Sequence, residues 1–201
     1  MSDDLNSNIA EVRRRIEQAA ARSGRTAGDI ELVAVTKTHR GETVREAVAA
    51  GITVFGENKV QEAESKIEEL GRDTITWHLI GHLQSNKARR AVQLFDTIQS
   101  VDSLELARRL ERICREEGRP SLPVYVQVDL AGEETKSGIA LSELDALVEY
   151  LGTCEHLLFD GLMVLPPFFD DAEMARPFFR ELRLIRDDLA SKNAFATGTG
   201  H

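Results

Sequence analysis

The sequence predicts an α/β fold in which a parallel sheet is covered by helices. Six short apolar runs alternate along the chain with helical patterns, and one further helical pattern precedes them. The runs are almost continuously apolar, as expected for strands that are buried on both faces. Neither GxGxxG after the first strand nor GxxxxGK[ST] occurs, so the usual nucleotide fingerprints of open sheets are missing, which favours a barrel. Periodicity alone leaves both architectures open.

The elements follow one another without a break. Apolar residues recur at helical spacing over residues 4–22, which predicts a leading amphipathic helix. The strand-like runs after it are 31–37, 53–57, 75–81, 96–101, 123–130 and 157–166. The helical patterns between and after them are 41–50, 58–70, 84–93, 103–118, 141–151 and 171–190. Ser103 and Ser142 stand where helix N-caps are expected. No linker divides the series, so we expect one domain over residues 1–192.

The composition excludes several classes of function. The formal charge of −9 and the pI near 5.1 argue against a sequence-independent nucleic-acid binder, which needs a basic face for phosphates. No apolar run reaches the length of a membrane span, and acidic residues stand where a signal peptide has basic ones. Cys114 and Cys154 are too few for a disulfide framework, so we expect reduced thiols. These features predict a cytoplasmic protein with no membrane or nucleic-acid partner.

Lys37 is the most informative single residue. It ends the apolar run ELVAVTK, and the chain has only six lysines against nineteen arginines. In a parallel α/β fold the carboxyl ends of the strands meet on one face, which carries the chemistry. A lysine buried there among polar groups would lose its proton through desolvation and act as a nucleophile toward an aldehyde. The alternative interpretation is a lysine whose ammonium extends to solvent at the rim of the barrel.

The other strand ends add polar side chains, each with more than one interpretation. His78 and His82 are four residues apart, but Gly81 ends the strand between them and no third ligand is placed by spacing, so we predict no metal site. We expect His78 to be a hydrogen-bonding residue of a cavity wall. Asn58 is either a helix N-cap or a ligand contact. Met163 is either a core residue or the floor of an apolar ring site.

Six motifs follow one another along the chain, one at each predicted strand: AVTK, FGENKVQE, WHLIGHLQSNK, VDSLELARRL, VQVDLAGEETKSGI and GLMVLPP. Together they resemble the pyridoxal phosphate homeostasis protein family, the YggS/PROSC-like proteins. The resemblance runs in order from about residue 8 to residue 190. It implies a TIM-type parallel barrel like the N-terminal domain of alanine racemase.

The resemblance also implies a cofactor and a site. The cofactor is pyridoxal 5'-phosphate (PLP), held as an internal aldimine on Lys37, with Asn58, His78, Asn86 and Met163 in the cofactor pocket. Family members are thought to buffer, carry or deliver PLP, which implies a non-catalytic protein of intracellular PLP homeostasis with PLP-accepting apoenzymes as partners. The alternative is a PLP-dependent, racemase-like enzyme. That enzyme would need a second acid or base, and His78 is the only local candidate.

The chain departs from the family at its end. The family continues with two further βα units, whereas this sequence reads ASKNAFATGTGH, so we expect an incomplete barrel of about six of eight units, truncated at the C-terminus, with residues 193–201 as a non-family tail. Loops after the seventh and eighth strands characteristically hold phosphate, so we expect weakened PLP binding or, as a further alternative, a fragment that does not bind. Six strands would leave the first and sixth with unpaired edges, through which the chain could self-associate.

Overall fold

The sheet contains six parallel strands in sequence order. The structure, a computed structural model, describes residues 2–132 and 137–201. The strands are β1 (Ala34–Val35), β2 (Val54–Glu57), β3 (Thr76–Leu79), β4 (Thr97–Val101), β5 (Leu122–Gln127) and β6 (Leu157–Met163). Each strand pairs in parallel with the next one along the chain. The predicted parallel α/β sheet is therefore confirmed.

Helices connect the strands and cover the sheet. They are α1 (Ser2–Arg22), α2 (Gly41–Ala49), α3 (Val60–Leu70), α4 (Ala88–Leu94), α5 (Leu104–Glu116), α6 (Leu141–Leu151) and α7 (Arg176–Ser191). Short 3₁₀ turns occupy Ala27–Asp29, Ser85–Lys87 and Ala172–Ala175. Within the described residues, the helices all fall short of the length and apolar character that crossing a membrane requires. The order of helices and strands is the predicted one.

The apolar core lies between the sheet and the helices. Successive residues of a strand point to opposite faces, so Trp77 and Leu79 of β3 share one face and His78 takes the other. Trp77 and Leu79 are completely buried, and the Trp77 ring lies 5.8 Å from that of Phe55 on β2, measured between centroids. Trp77 Nε1 also donates a hydrogen bond to the carbonyl of Gly71 at the end of α3. Burial of such side chains contributes about 1.5–3 kcal/mol each and holds the helices on the sheet.

Three local predictions have different outcomes. Ser103 caps α5, since its Oγ accepts a hydrogen bond from the Leu106 N–H at 3.2 Å. Ser142 is not a cap, because α6 begins one residue earlier, at Leu141. The first strand is shorter than the predicted run 31–37, because only two of its residues pair with β2. Local sequence therefore places the elements and the start of α5, while the ends of β1 and the start of α6 differ from the predicted ones.

Residues 193–201 lie along the outer edge of β6. The His201 N–H donates a hydrogen bond to the Asp160 carbonyl at 2.9 Å. The His201 carbonyl oxygen accepts one from the Leu162 N–H at 3.0 Å, as in a parallel pair of strands. Phe195 packs on Phe159, with ring centroids 4.7 Å apart. The prediction of an unpaired edge on the sixth strand is therefore wrong along this stretch. The domain boundary before this segment stays a prediction.

Candidate functional site

A cavity of about 560 Å³ opens at the carboxyl ends of the strands. Small-molecule sites commonly have volumes of roughly 300–1,000 Å³. Its apolar wall consists of Val33, Val35, Ile80, Met163, Val164 and Leu165. Its polar groups come from Lys37, Asn58, His82, Gln99, Gln127 and Ser137. An apolar wall with a few polar groups is typical of a site for a small organic ligand.

Lys37 follows β1 and lines this cavity. The residue is exposed, and no other residue of the described chain hydrogen-bonds or ion-pairs with its ammonium group. Of the two interpretations of Lys37, the one in which the residue is buried is therefore wrong. Lys37 is instead accessible to solvent at the rim and also faces the cavity. Its amine is available to a ligand that enters.

His78 supports the wall of the cavity from behind. It is 4% exposed, and the Gln99 side-chain amide donates a hydrogen bond to its Nδ1 at 2.9 Å. Because that amide nitrogen can only donate, the ring carries its proton on Nε2. Burial lowers the pKa of His78, although Glu31 and Asp96 oppose this effect, so the imidazole is neutral at physiological pH. His78 thus orients Gln99, which does line the cavity.

Asn58 lines the cavity from the loop between β2 and α3. The interpretation as a helix cap is excluded, because α3 begins at Val60 with Lys59 in the cap position. Gly81 lies directly against this loop, and a Cβ atom there would be 2.4 Å from the Asn58 carbonyl oxygen. Such a contact is too close for any side chain, so glycine at this position lets the loop approach the end of β3.

The structure separates the last two predicted residues. Met163 ends β6 and lines the cavity. Asn86 lies exposed in the 3₁₀ turn Ser85–Lys87 and, among the residues that the structure describes, is not part of the cavity wall. Three predicted residues therefore meet at the cavity, His78 reaches it through Gln99, and Asn86 stays apart. That these residues bind a cofactor stays a prediction.

Two glutamines complete the polar wall and were missed by the sequence interpretation. Gln99 lies in the middle of β4, and Gln127 ends β5. Gln127 is 2% exposed, and its amide donates a hydrogen bond to the carbonyl of Ser137. A buried amide is costly unless it is paired, so a glutamine inside an apolar strand indicates a polar partner or a ligand. That signal was present in TIQSV and in PVYVQ.

His82 has a partner of its own. Its Nδ1 lies 3.0 Å from a carboxylate oxygen of Asp102, and the residue lines the cavity. His78 and His82 therefore have different partners and do not converge on one point. Across residues 2–132 and 137–201, His, Cys, Asp and Glu side chains form no group of three that could hold a metal ion.

Known proteins are similar to this chain in both sequence and fold. The family model described as alanine racemase, N-terminal domain, matches residues 5–199. The pyridoxal phosphate homeostasis protein of Pseudomonas aeruginosa is 42% identical over 181 residues, which are 90% of this chain and 78% of that protein.

Two solved structures have folds similar to that of this chain. PipY of Synechococcus elongatus, solved with PLP bound, is 39% identical and has a TM-score of 0.78, with 90% of this chain and 84% of PipY covered. Alanine racemase of Clostridium difficile has a TM-score of 0.71 at 16% identity, with 84% of this chain and 47% of the racemase covered, which shows the fold alone. The predicted incomplete TIM-type barrel is confirmed, and the chain belongs to the pyridoxal phosphate homeostasis protein family.

Proposed function

We propose that this chain binds PLP through Lys37 and takes part in PLP homeostasis. The observation that carries the proposal is the position of Lys37, whose amine has no partner in the described chain and faces a cavity of about 560 Å³. The relative from Pseudomonas aeruginosa is named for PLP homeostasis, and PipY was solved with PLP bound. Delivery of PLP to apoenzymes, self-association and a cytoplasmic location remain predictions.

The residues around the cavity fit this cofactor. When bound, PLP supplies an aldehyde carbon that reacts with a lysine amine and a conjugated ring that absorbs near-visible light. Ile80 and Met163 offer apolar surface to an aromatic ring, and the amides of Asn58 and Gln99 offer hydrogen bonds to its polar substituents. Lys37 would hold its amine toward the ring from the end of β1.

The cavity offers little positive charge for a phosphate group. Among its described lining residues, Lys37 is the only lysine and arginine is absent. Each charge-assisted hydrogen bond to a phosphate contributes about 1.5–3 kcal/mol. Binding therefore rests mainly on Lys37 and on the cavity walls, and its affinity is lower than a complete phosphate site would provide.

A racemase-like activity has less support. It would require a second proton-transfer group that faces Lys37. His78, the sequence-based candidate, is buried and neutral, and it lies behind Gln99 rather than in the described cavity wall. This placement does not favour proton transfer by His78 at a substrate, and we propose a binding role.

An absorbance titration with PLP tests the proposal. The unaltered chain should develop the near-visible band of a lysine adduct, and Lys37→Ala should not, because the reacting amine is gone. Lys59→Ala is the matched control, since Lys59 lies in the neighbouring loop but outside the wall of the cavity that Lys37 lines, and it should keep the band. No band in the unaltered chain, or an equal band in Lys37→Ala, would overturn the proposal.

A second ligand tests the part played by the phosphate. 5'-Deoxypyridoxal has the same ring and a free aldehyde without the phosphate, so its affinity should lie within about tenfold of that of PLP, a difference of about 1.4 kcal/mol. A preference for PLP of several orders of magnitude would contradict the proposed weakness of the phosphate site.

A further inference from the structure

The turn that carries Lys37 has an unusual backbone. The His39 N–H donates a hydrogen bond to the Thr36 carbonyl at 3.0 Å, so residues 36–39 form a tight turn with Lys37 and Thr38 at its centre. Thr38 has a φ of 67°. A β-branched residue rarely adopts a positive φ, and this strained conformation persists only where the surrounding structure holds it. Groups outside the turn must therefore stabilise it.

A buried ion pair stabilises the turn on its Thr36 side. Lys66 Nζ, on α3, donates hydrogen bonds to the Thr36 carbonyl and to Glu57 Oε1, each at 2.6 Å. The Thr36 hydroxyl donates to the same Glu57 oxygen, also at 2.6 Å. The Glu57 side chain is fully buried and that of Lys66 is 7% exposed, so solvent and salt screen these contacts little.

Glu62 stabilises the turn on its other side. The Thr38 N–H donates a hydrogen bond to Glu62 Oε1, and Lys66 Nζ lies 3.2 Å from the same oxygen. Partial burial raises the pKa of Glu62, but the Thr38 N–H and Lys66 outweigh it, so the pKa lies below its usual value. Glu62 is therefore ionised at neutral pH and accepts a charge-assisted hydrogen bond. We name Glu57, Glu62 and Lys66 together the turn clamp.

We propose that the turn clamp positions Lys37 for reaction with PLP, acting through the residues on either side of it. The inference rests on the proposed function. Because the clamp fixes Thr36 and Thr38, it fixes the direction in which the Lys37 side chain leaves the backbone. Among the described residues, the clamp is absent from the wall of the cavity that Lys37 lines, and Glu62 and Lys66 line a separate depression beside the turn. The clamp residues are therefore positioning residues that do not touch the ligand.

Glu62→Ala is the most informative variant. It removes the acceptor of the Thr38 N–H while it keeps the buried ion pair between Glu57 and Lys66. Glu68→Ala is the matched control, because Glu68 lies on the same helix and its side chain is 67% exposed. Both variants exchange glutamate for a residue that favours helix, so the intrinsic stability of α3 changes little.

The primary readout is the rate at which PLP forms an adduct on Lys37 that borohydride can trap. Loss of a charge-assisted hydrogen bond should slow this reaction at least about tenfold in Glu62→Ala, whereas Glu68→Ala should stay within about twofold. Glu62→Gln should recover part of the rate, because its amide oxygen can still accept the Thr38 N–H. Without PLP, the amide proton resonance of Thr38 should move upfield in Glu62→Ala and stay in place in Glu68→Ala.

The outcomes separate this inference from the proposed function. No adduct in the unaltered chain would refute the proposed function itself. An adduct in the unaltered chain that forms at the same rate in folded Glu62→Ala would refute the positioning role alone. If Glu62→Ala does not fold, Glu62→Met, which keeps the side-chain length without an oxygen acceptor, replaces it. An unchanged rate in that variant would also refute the positioning role.

Discussion

The two sides of the sheet are held together in different ways. β1, which precedes Lys37, shares two residue pairs with β2, whereas β5 and β6 share six pairs. Near Lys37 the backbone is held by the turn clamp, in which Lys66 and Thr36 are 30 positions apart in sequence. Around β5 and β6, buried apolar side chains such as Leu122 and Phe159 fill the core. The comparison shows that polar side chains hold the backbone at the end of β1, the shortest of the six strands.

Lys66→Met should destabilise the fold on the Lys37 side of the sheet. It leaves the Glu57 carboxylate buried without its cation, and Glu57 Oε2 already has no hydrogen-bond partner in the described chain. Removal of one member of a buried pair costs about 3–5 kcal/mol of the free energy of unfolding. Denaturant unfolding measures this loss. Arg90→Met, which removes a partly exposed ion pair with Glu64, should cost about 1 kcal/mol or less, and equal losses would contradict the comparison.

Leu122→Ala should weaken the other side of the sheet. Leu122 is completely buried at the start of β5, so its truncation leaves a cavity and lowers the free energy of unfolding by about 3 kcal/mol. The rate at which the folded variant forms an adduct on Lys37 should stay unchanged, because no clamp contact is lost. Denaturant unfolding and trapping by borohydride measure the two effects. An adduct rate as slow as that of Glu62→Ala would mean that packing around β5 also controls the reactivity of Lys37, which would contradict the comparison.

A change of pH should produce the smallest effect, through His78. The pKa of His78 in the folded chain lies below its usual 6.5, so the unfolded chain binds this proton more readily. Its contribution is fully present above about pH 6.5 and is lost as pH falls through that value toward the lower folded pKa, by at most about 1.4 kcal/mol per pH unit. Unfolding curves at about pH 7 and about pH 5.5 measure it. The difference should shrink in His78→Gln, and an equal difference would exclude His78 as its source.

Local patterns in the sequence predict most of the fold and part of the site. The run 141–151 coincides with α6, because its apolar periodicity and the glycine that follows it are local signals. The topological rule that parallel strands end on one face then places Lys37, Asn58 and Met163 around a single cavity. The positions of these three residues can be predicted without knowledge of individual side-chain contacts.

Contacts between distant residues could not be predicted in the same way. Gln99 meets His78 across 21 positions, and the contacts of Lys66 with the turn depend on how α3 packs against β2 and its neighbouring helices. No periodicity in the sequence encodes such pairs. Asn86 shows the reverse case, because its motif suggests a pocket residue while the path of the chain leaves it exposed in a 3₁₀ turn.

Peptide mapping after borohydride reduction tests the role of Lys37 most directly. The chain has six lysines, and PLP at limiting concentration should react with the one that faces the cavity. We predict that the added mass is found on the peptide that contains Lys37. Each of the other five lysines should carry no more label than the same lysine carries in chain that was denatured before the reaction. Label spread evenly over the lysines, or concentrated on another one, would contradict the assignment of Lys37 as the residue that binds PLP.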